Sequence, residues 1–586
     1  MSPVSSDRRA VYAAVVLFIV SLAIRLCGIT WTLANDLHNT SLHPDETVVY
    51  SNYSYKDNPL IPGNYNYPSL YPLIVRVAGD MVSTYGNIQS EQGVVPAPAA
   101  TPHDRMMVMR NMFTKYAPHQ RAVNLAGRVI SAIFGAATAV VVFFLLLRFT
   151  TMKGALFGGA LAAIAPALVV HSRFQTVDIT ATFFLWLSVL YAVKLYKCEE
   201  TGPLMKYALL AGVFAGLSTG TKYTGFVALF SVLLAIIQNK GRHIYDKKWM
   251  LLGSAVAACI VVFLITTPGA LADNASFMRS LHLEADHVKQ GDDVVFLNTP
   301  TSLLYQLGNV FTGIGPLAFL IGMFGLVYGA IKKNPYIWIV APAFLAYFAI
   351  LEPSQVKFIR YGLPLMPAVA IGFGYAMNGL MARPNLRVAG MIAGVIALLG
   401  LDSLALSGFK PSHYLACFDP RFGGLYGTYQ YTKDMMAEDP RDSAARYVIA
   451  ESKKEPGTRV GLFRIPWYWT VSVLPDTMFI YNNPNEQNKI IMAMYFETTK
   501  DPAVILSFMQ PAPKYIVMTS FETEPFDRIT DLSQVPEMWQ PVYTELRKNL
   551  DDIRANYNIV ATFGGDSPAV PDLQYVQPKA WVLQHK

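Results

Sequence analysis

Two adjacent carboxylates, Asp45 and Glu46, follow an apolar run that extends from Val11 to Ala34. A carboxylate held at the end of a membrane helix can act as a general base on a group that reaches the membrane surface. A solvated loop also carries acids without energetic cost, so an ordinary polar loop explains the same residues. The two interpretations differ in whether other charged residues of the chain gather at the same place.

The composition is typical of a protein with many membrane helices. The 586 residues are 53% hydrophobic and 15% charged, whereas a soluble globular chain carries about 25% charged residues. Several apolar runs approach the roughly 20 residues that cross a bilayer as a helix. The net charge of +7 does not require a nucleic-acid partner, because the basic residues collect in short loops between these runs. The four cysteines form no C-x-x-C pair, which indicates neither a disulfide framework nor a zinc site.

The apolar runs predict a polytopic α-helical membrane protein with about eleven transmembrane helices. Arg8 and Arg9 place the N-terminus in the cytoplasm by the positive-inside rule, and the first run is too long for a cleaved signal peptide. The odd number of helices places the C-terminus on the outer side of the membrane. The predicted helices cover residues 11–34, 123–147, 154–170, 179–196, 206–218, 224–238, 249–267, 302–331, 335–351, 362–382 and 388–407.

The chain divides into two predicted domains, a membrane domain over 1–407 and an outer domain over 408–586. The long outer loop 35–122 of the membrane domain carries the acidic pair and an aromatic stretch from Tyr67 to Pro72, which predicts an amphipathic helix in the membrane interface. Residues 408–586 contain no spanning run. Helical patterns near 441–453 and 500–509 alternate there with β-rich runs at 459–463 and 514–518, which predicts a small α/β domain.

The predicted topology places five more charged residues at the outer ends of helices. They are Arg173, Asp178, Lys222, Lys357 and Arg360. Cations at outer ends oppose the positive-inside rule, so an anion bound there is a reason for their presence. Simpler roles exist, because Lys222 or Arg360 alone can reach lipid headgroups. Asp178 can cap its helix or pair with Arg173.

A polyprenyl-phosphate sugar is the substrate class that fits acids and cations on one membrane surface. Its lipid tail lies in the bilayer, and lysine or arginine can bind its phosphate at the interface. The sequence contains no P-loop and no convincing dinucleotide-binding fingerprint. The phosphate leaves as a stable anion, so transfer needs cations and a carboxylate base for the acceptor hydroxyl, but no general acid. One carboxylate that faces cations bound to the phosphate predicts a direct displacement of the phosphate from the sugar. The configuration of the anomeric carbon is then inverted.

Residues 11–405 resemble the membrane glycosyltransferases of the C superfamily, in particular the branch of protein O-mannosyltransferases and lipid A aminoarabinose transferases. The resemblance depends on five short motifs that occur in the expected order. They are His43-Pro44-Asp45-Glu46, Tyr67-Pro68-Ser69-Leu70-Tyr71-Pro72, Ser172-Arg173-Phe174 with Asp178, Gly220-Thr221-Lys222-Tyr223-Thr224-Gly225, and Arg360-Tyr361-Gly362-Leu363-Pro364.

The resemblance implies a hexosyl- or pentosyltransferase of the plasma or inner membrane. It implies that Asp45 is the base and that Glu46 contacts the acceptor or the sugar. The donor phosphate is then bound by Lys222 and Arg360, together with Tyr361. Supporting roles are expected for His43, Tyr67, Arg173 and Asp178. Some relatives use a divalent metal at the acidic site and others do not, so the cofactor stays open and no metal ligand is assigned.

The expected partners are a polyprenyl-phosphate-linked sugar, membrane lipid, and an acceptor that is a lipid, a glycan or a protein. A transporter or lipid flippase is the main alternative function. That function predicts charges near the middle of the membrane and inverted repeats with broken helices, whereas the charges here lie at helix ends. A scaffold without enzymatic activity is a third possibility, and it leaves the clustered polar residues unexplained.

Overall fold

The computed structural model describes residues 8–38, 40–88, 102–198, 201–239, 247–290, 294–407, 421, 423–455, 458, 460–463, 512–565, 576 and 578–586. Helices dominate these residues. Those up to residue 407 are α1 (Arg8–Leu26), α2 (Pro44–Val48), α3 (Leu70–Gly86), α4 (Pro102–Leu146), α5 (Met152–Ile164), α6 (Pro166–His171), α7 (Val177–Lys197), α8 (Thr201–Thr219), α9 (Ala228–Gln238), α10 (Lys248–Thr266), α11 (Gly269–Ala272), α12 (Asn274–Gln290), α13 (Ser302–Ile314), α14 (Pro316–Ile331), α15 (Pro335–Leu351), α16 (Met366–Ala382), α17 (Arg387–Leu399) and α18 (Leu401–Leu406).

Several of these helices have the length and apolarity of membrane spans. Five of them qualify within the described residues, namely α1, the part of α4 from Ala117 to Leu146, α7, α10, and α16 with the 3₁₀ turn before it. The bent pair α13 and α14 can form a sixth span. Five further apolar helices have 10–17 residues. The apolar helices support an integral membrane protein, while the number of eleven spans and the side that each loop faces stay predictions.

The predicted single helix over 302–331 is wrong, because α13 and α14 meet at an angle of 114°. Gly315 separates them with φ +108°, a backbone conformation that residues with a Cβ atom rarely adopt. Pro316 then begins α14, where its missing N–H group costs nothing. The carboxylate of Asp402 accepts a hydrogen bond of 2.8 Å from the Leu317 N–H group, so the first turn of α14 is capped from α18.

The first predicted helix, 11–34, is also too long, since α1 ends at Leu26. Gly28 has φ +74°, and a Cβ atom at this position would lie 2.8 Å from the Cβ atom of Met435. Glycine therefore both ends the helix and permits the close approach of a later segment. The predicted helix 154–170 is also interrupted, because α5 ends at Ile164 and Pro166 begins α6 as a separate helix.

The described residues after 420 contain four α-helices and one sheet. The helices are α19 (Gly424–Met436), α20 (Pro440–Lys454), α21 (Ser520–Arg528) and α22 (Gln540–Asn556), and the strands are β1 (Val460–Leu462), β2 (Tyr515–Thr519), β3 (Tyr557–Phe563) and β4 (Ala580–His585). The strand order is β1-β2-β4-β3, with β1 parallel to β2 and the other pairs antiparallel. Strands lie at both predicted β-rich runs. The predicted helix 500–509 lies outside the described residues, and a separate outer domain stays a prediction.

A buried hydrogen bond fixes the segment that carries Arg360 and Tyr361. This segment is the 3₁₀ turn Ile359–Leu365, which leads directly into α16. The indole of Trp186, which is fully buried in α7, donates a hydrogen bond of 3.0 Å to the carbonyl oxygen of Pro364. Leu363 of the turn is also fully buried in the main apolar core. The turn is therefore held rigidly against α7, which contributes Asp178 to the same region.

Candidate active site

Asp45 and Arg360 form an ion pair that joins the acidic motif to the 3₁₀ turn before α16. Asp45 lies in the first turn of α2, and Arg360 is the second residue of the 3₁₀ turn. The distance from Asp45 Oδ2 to Arg360 Nη1 is 2.9 Å, and the side chains are 15% and 11% exposed. Both groups are thus accessible to a small ligand, which a completely buried pair would not be.

Asp178 and Lys222 form a second ion pair beside the first. Asp178 lies in the first turn of α7, and Lys222 immediately precedes the 3₁₀ turn Tyr223–Val227. Lys222 Nζ lies 2.6 Å from Asp178 Oδ1, and the lysine side chain is 19% exposed. Lys222 Nζ also lies 4.6 Å from the ring centre of Tyr361, while the guanidinium carbon of Arg360 lies 5.6 Å from the same ring. The two predicted phosphate-binding cations therefore meet at Tyr361.

The charges of this cluster are tuned by burial and by their partners. Burial raises the pKa of Asp45 above its ordinary value, although Arg360 acts in the opposite direction. Burial alone would lower the pKa of Lys222, but Asp178 outweighs it and keeps the lysine pKa above its ordinary value. The site thus combines a lysine that stays cationic with a carboxylate of increased basicity, which suits a general base.

Glu46, the second carboxylate of the motif, lies in different surroundings. Its side chain is fully buried and accepts two hydrogen bonds from Arg128, at 2.8 and 2.7 Å. The N–H group of Gln175 donates a third at 2.7 Å, and the hydroxyl of Ser41 donates another. Burial raises the pKa of Glu46, but Arg128, with a smaller effect from the Gln175 N–H group, outweighs it and holds that pKa below its ordinary value. Glu46 therefore anchors α2, and its predicted contact with acceptor or sugar stays a prediction.

Arg128 of α4 is a central residue of the site that the sequence analysis missed. Besides Glu46, its guanidinium donates to the carbonyl oxygens of Ile29, at 2.7 Å, and Trp31, at 2.5 Å. It is fully buried. An arginine inside an apolar helix is costly unless it is paired, and this cost is the sequence signal that would have identified it.

His43 and Tyr67, two of the predicted supporting residues, lie close to Asp45. The ring of His43 is buried and lies 4.4 Å from the ring of Phe174. Burial lowers the pKa of His43 to about 3, so its imidazole is neutral at ordinary pH. Burial and the charge of Asp45 raise the pKa of Tyr67, so its hydroxyl keeps its proton. The ring centres of Tyr67 and Tyr53 lie 5.6 Å apart, with the ring planes tilted by 50°.

Arg173, the remaining supporting residue, points away from the two ion pairs. It donates to the carbonyl oxygen of Ile24 at 2.8 Å, to the hydroxyl of Thr432 at 2.6 Å and to the sulfur of Met435 at 3.1 Å. The suggested pairing with Asp178 is wrong, because Asp178 pairs with Lys222 instead. Arg173 instead fastens that turn to α1 and α19.

The acids and histidines of the described residues do not include a cluster of three or more in metal-ligand geometry. Asp45, Glu46 and Asp178 are each paired with a cationic side chain. The structure accordingly assigns no residues to a divalent ion, and the cofactor stays open.

Comparisons with known proteins agree with the expected superfamily. A family model described as dolichyl-phosphate-mannose-protein mannosyltransferase matches residues 120–266, a stretch that includes Arg128, Asp178 and Lys222. No curated protein matches the sequence significantly. The predicted resemblance to the membrane glycosyltransferases of the C superfamily is confirmed.

Two solved structures illustrate the likeness in three dimensions. ArnT from Cupriavidus metallidurans, in a crystal structure with bound undecaprenyl phosphate, is 14% identical, with 97% of each chain covered and a TM-score of 0.51. The archaeal oligosaccharyltransferase AglB from Archaeoglobus fulgidus is 15% identical over 89% of this chain and 70% of its own, with a TM-score of 0.45. The first likeness establishes a shared fold, and the second is too distant to carry an argument.

Proposed function

We propose that this chain is an inverting glycosyltransferase that moves a sugar from a polyprenyl-phosphate-linked donor to an acceptor hydroxyl at the outer face of the membrane. The observation that carries the proposal is the meeting of the Asp45–Arg360 and Asp178–Lys222 ion pairs at Tyr361. Such a transfer requires a base that accepts the proton of the acceptor hydroxyl and cationic side chains that bind the phosphate.

Binding of the donor exchanges one anion for another at Arg360. The phosphate of the donor takes the place of the Asp45 carboxylate on the guanidinium, since arginine binds phosphate oxygens with two parallel hydrogen bonds. Lys222 adds a second positive charge, and Asp178 keeps it protonated. Asp45 is thereby released next to the sugar, with its pKa raised by burial.

The transfer itself is a single displacement. Asp45 takes the proton of the acceptor hydroxyl as the acceptor oxygen forms a bond to the anomeric carbon of the sugar. The bond from that carbon to the phosphate oxygen breaks, and its electron pair leaves with the polyprenyl phosphate. Arg360 and Lys222 stabilise the negative charge that develops on this leaving group, so no proton donor is needed.

The surroundings of the three carboxylates favour inversion. A retaining mechanism needs a second carboxylate about 5 Å from the first to attack the sugar. Glu46 is fully buried and bound by Arg128, and Asp178 is neutralised by Lys222. Asp45 alone is left to act, and as a base.

The comparisons add support for the donor class. The matching family model concerns transfer of mannose from dolichyl phosphate to protein, and the crystal structure of ArnT contains undecaprenyl phosphate. Both support a sugar carried on a polyprenyl phosphate, and the family description supports a protein among the candidate lipid, glycan and protein acceptors. A transporter is not favoured. The two ion pairs lie at helix ends, and together they supply a candidate base and two cations that can bind an anion.

The test is transfer of a labelled sugar by the purified protein in lipid nanodiscs. The donors are polyprenyl phosphates that carry different single sugars, and the acceptors are lipid, glycan and protein fractions. The anomeric configuration of the product is then read by NMR. We expect one donor to give a product of opposite configuration. A product of unchanged configuration contradicts the single displacement, and movement of donor across the bilayer without a covalent product contradicts the enzyme.

A further inference from the structure

The N-terminal turn of α20 is bound directly to the segment that leads to Asp45. We call residues 35–46 the acidic segment. The carboxylate of Asp442 accepts a hydrogen bond of 2.9 Å from the amide of Asn35, and Nε2 of His38 lies 3.4 Å from the same oxygen. Asp442 is 4% exposed and His38 is fully buried. The contact is therefore an interior one between residues far apart in the sequence.

The conformation of His38 makes this contact specific. Its Nδ1 atom lies 2.5 Å from the carbonyl oxygen of Thr40, so both ring nitrogens face oxygen acceptors. Burial raises the pKa of Asp442, but His38 and Asn35 outweigh it and hold that pKa below its ordinary value. The carboxylate thus lies beside the imidazole of His38 and the amide donor of Asn35.

Apolar packing binds the acidic segment to the same region. Leu37 and Leu42 are buried in a cluster with α20 and the sheet, whose other members include Ala445, Val448 and Val517. Burial of leucine side chains stabilises the folded arrangement. The acidic segment is therefore packed into the core of the C-terminal region.

The opposite end of the acidic segment is anchored in α4. The hydroxyl of Ser41 donates to Glu46, and Glu46 is bound by Arg128. Asp45 lies next to this anchor and points to Arg360. The acidic segment is thus held at its start by Asp442 and at its end by Arg128. These two contacts fix the position of Asp45.

We infer that Asp442 is a positioning residue for the transfer reaction, which holds the acidic segment in the conformation that presents Asp45 to Arg360. Asp442 contacts no reacting group in this arrangement and acts through Asn35 and His38. The inference rests on the proposed role of Asp45 as the base. The first turn of α20 thereby helps to order the acidic segment.

The chain provides a matched control at the same interface. Arg446 of α20 pairs with Asp36 of the acidic segment at 3.2 Å, but these side chains are 51% and 69% exposed. Exposed pairs of this kind contribute little to stability. Arg446→Gln therefore removes an ion pair between the same two segments without disturbing the buried contact.

The experiment compares D442N, R446Q and D45N in the labelled-sugar assay and in hydrogen exchange followed by mass spectrometry. We expect D442N to lower kcat by about tenfold to a hundredfold, as small displacements of catalytic groups do, with KM for the donor unchanged. We expect faster exchange in peptides covering 35–46 and unchanged exchange in α7. R446Q should match the wild type in both measurements, and D442N should have no further effect in a D45N background.

Three results separate the possible failures. If D45N is inactive while D442N keeps wild-type kcat and wild-type exchange in 35–46, the positioning role is wrong and the proposed function is unaffected. If D45N keeps full activity, the proposed base is wrong. If D442N raises exchange throughout α7 and α4 as well as in 35–46, Asp442 is needed for global stability and the inference is also wrong.

Discussion

Arg128 and Glu46 form a bidentate ion pair inside the protein, with N–O distances of 2.8 and 2.7 Å, directly beside the candidate base. Removing one member of a buried pair leaves an unpaired charge and costs about 3–5 kcal/mol. We expect R128M to lower the free energy of unfolding by about this amount, measured by denaturant titration in detergent. The control is R121M, which changes an exposed arginine of the same helix. R128M with wild-type stability would contradict the structural role.

Lys222 is expected to bind the donor phosphate. A charge-assisted hydrogen bond contributes about 1.5–3 kcal/mol, so K222M should weaken binding of polyprenyl phosphate by about tenfold to a hundredfold. Because K222M also leaves Asp178 unpaired, the double variant K222M/D178N separates folding from binding. We expect it to be as stable as the wild type and still to bind the lipid weakly. K206M, at an exposed lysine of α8, is the control, and tight binding by the double variant would exclude Lys222 from the clamp.

The pH dependence of kcat/KM follows from the raised pKa of Asp45. A base works only when it is deprotonated, so activity is lost as the pH falls through this pKa. The acid limb should therefore lie above the ordinary value of an aspartate, about 3.9. The pKa of His43 is lowered to about 3, so H43Q should leave the position of the limb unchanged. A limb that moves with H43Q would assign the titration to the histidine.

Gly315 is expected to be intolerant of a side chain. Its φ of +108° is strained for any residue with a Cβ atom, at a cost of about 1–3 kcal/mol. G315A should lower the unfolding temperature in detergent, because the turn between α13 and α14 cannot relax. The matched control is G253A in α10, where an added Cβ atom meets no other atom within 4 Å. An equal unfolding temperature for both variants would show that the turn adapts.

The sequence predicted much of the helical framework and the identities of the clustered residues. The helix 335–351 is found as α15, and Asp45, Lys222 and Arg360 lie together. These predictions succeeded because their signals are local in the sequence. Apolar runs mark helices, and cations that violate the positive-inside rule mark a binding site for an anion. Gly315-Pro316 was also a readable signal for the break in 302–331, but the length of the apolar run outweighed it.

The pairing of the charged side chains was beyond the sequence. A pair between Arg173 and Asp178 was one of the simpler roles considered, yet Arg173 binds Ile24 and Thr432, while Asp178 binds Lys222. The orientation of a side chain at a helix end depends on which neighbouring segments pack there, and spacing along the chain does not encode this. Arg128 carried a readable signal as an arginine inside an apolar helix, but its partner Glu46 and the partners of Asp442 lie on segments far away in the sequence.

In the proposed mechanism the donor phosphate replaces the Asp45 carboxylate at Arg360, and Asp45 then acts as the base. Single-turnover transfer by D45N tests this step most directly. Donor binding and sugar transfer are measured separately on the same samples, with D57N at an exposed position of the same loop as the control. We expect D45N to bind the donor at least as tightly as the wild type, because Arg360 no longer has a charged competitor. Transfer should be slower by about 10²–10⁴-fold, the usual contribution of a general base. Transfer at the wild-type rate by a folded D45N would contradict the account.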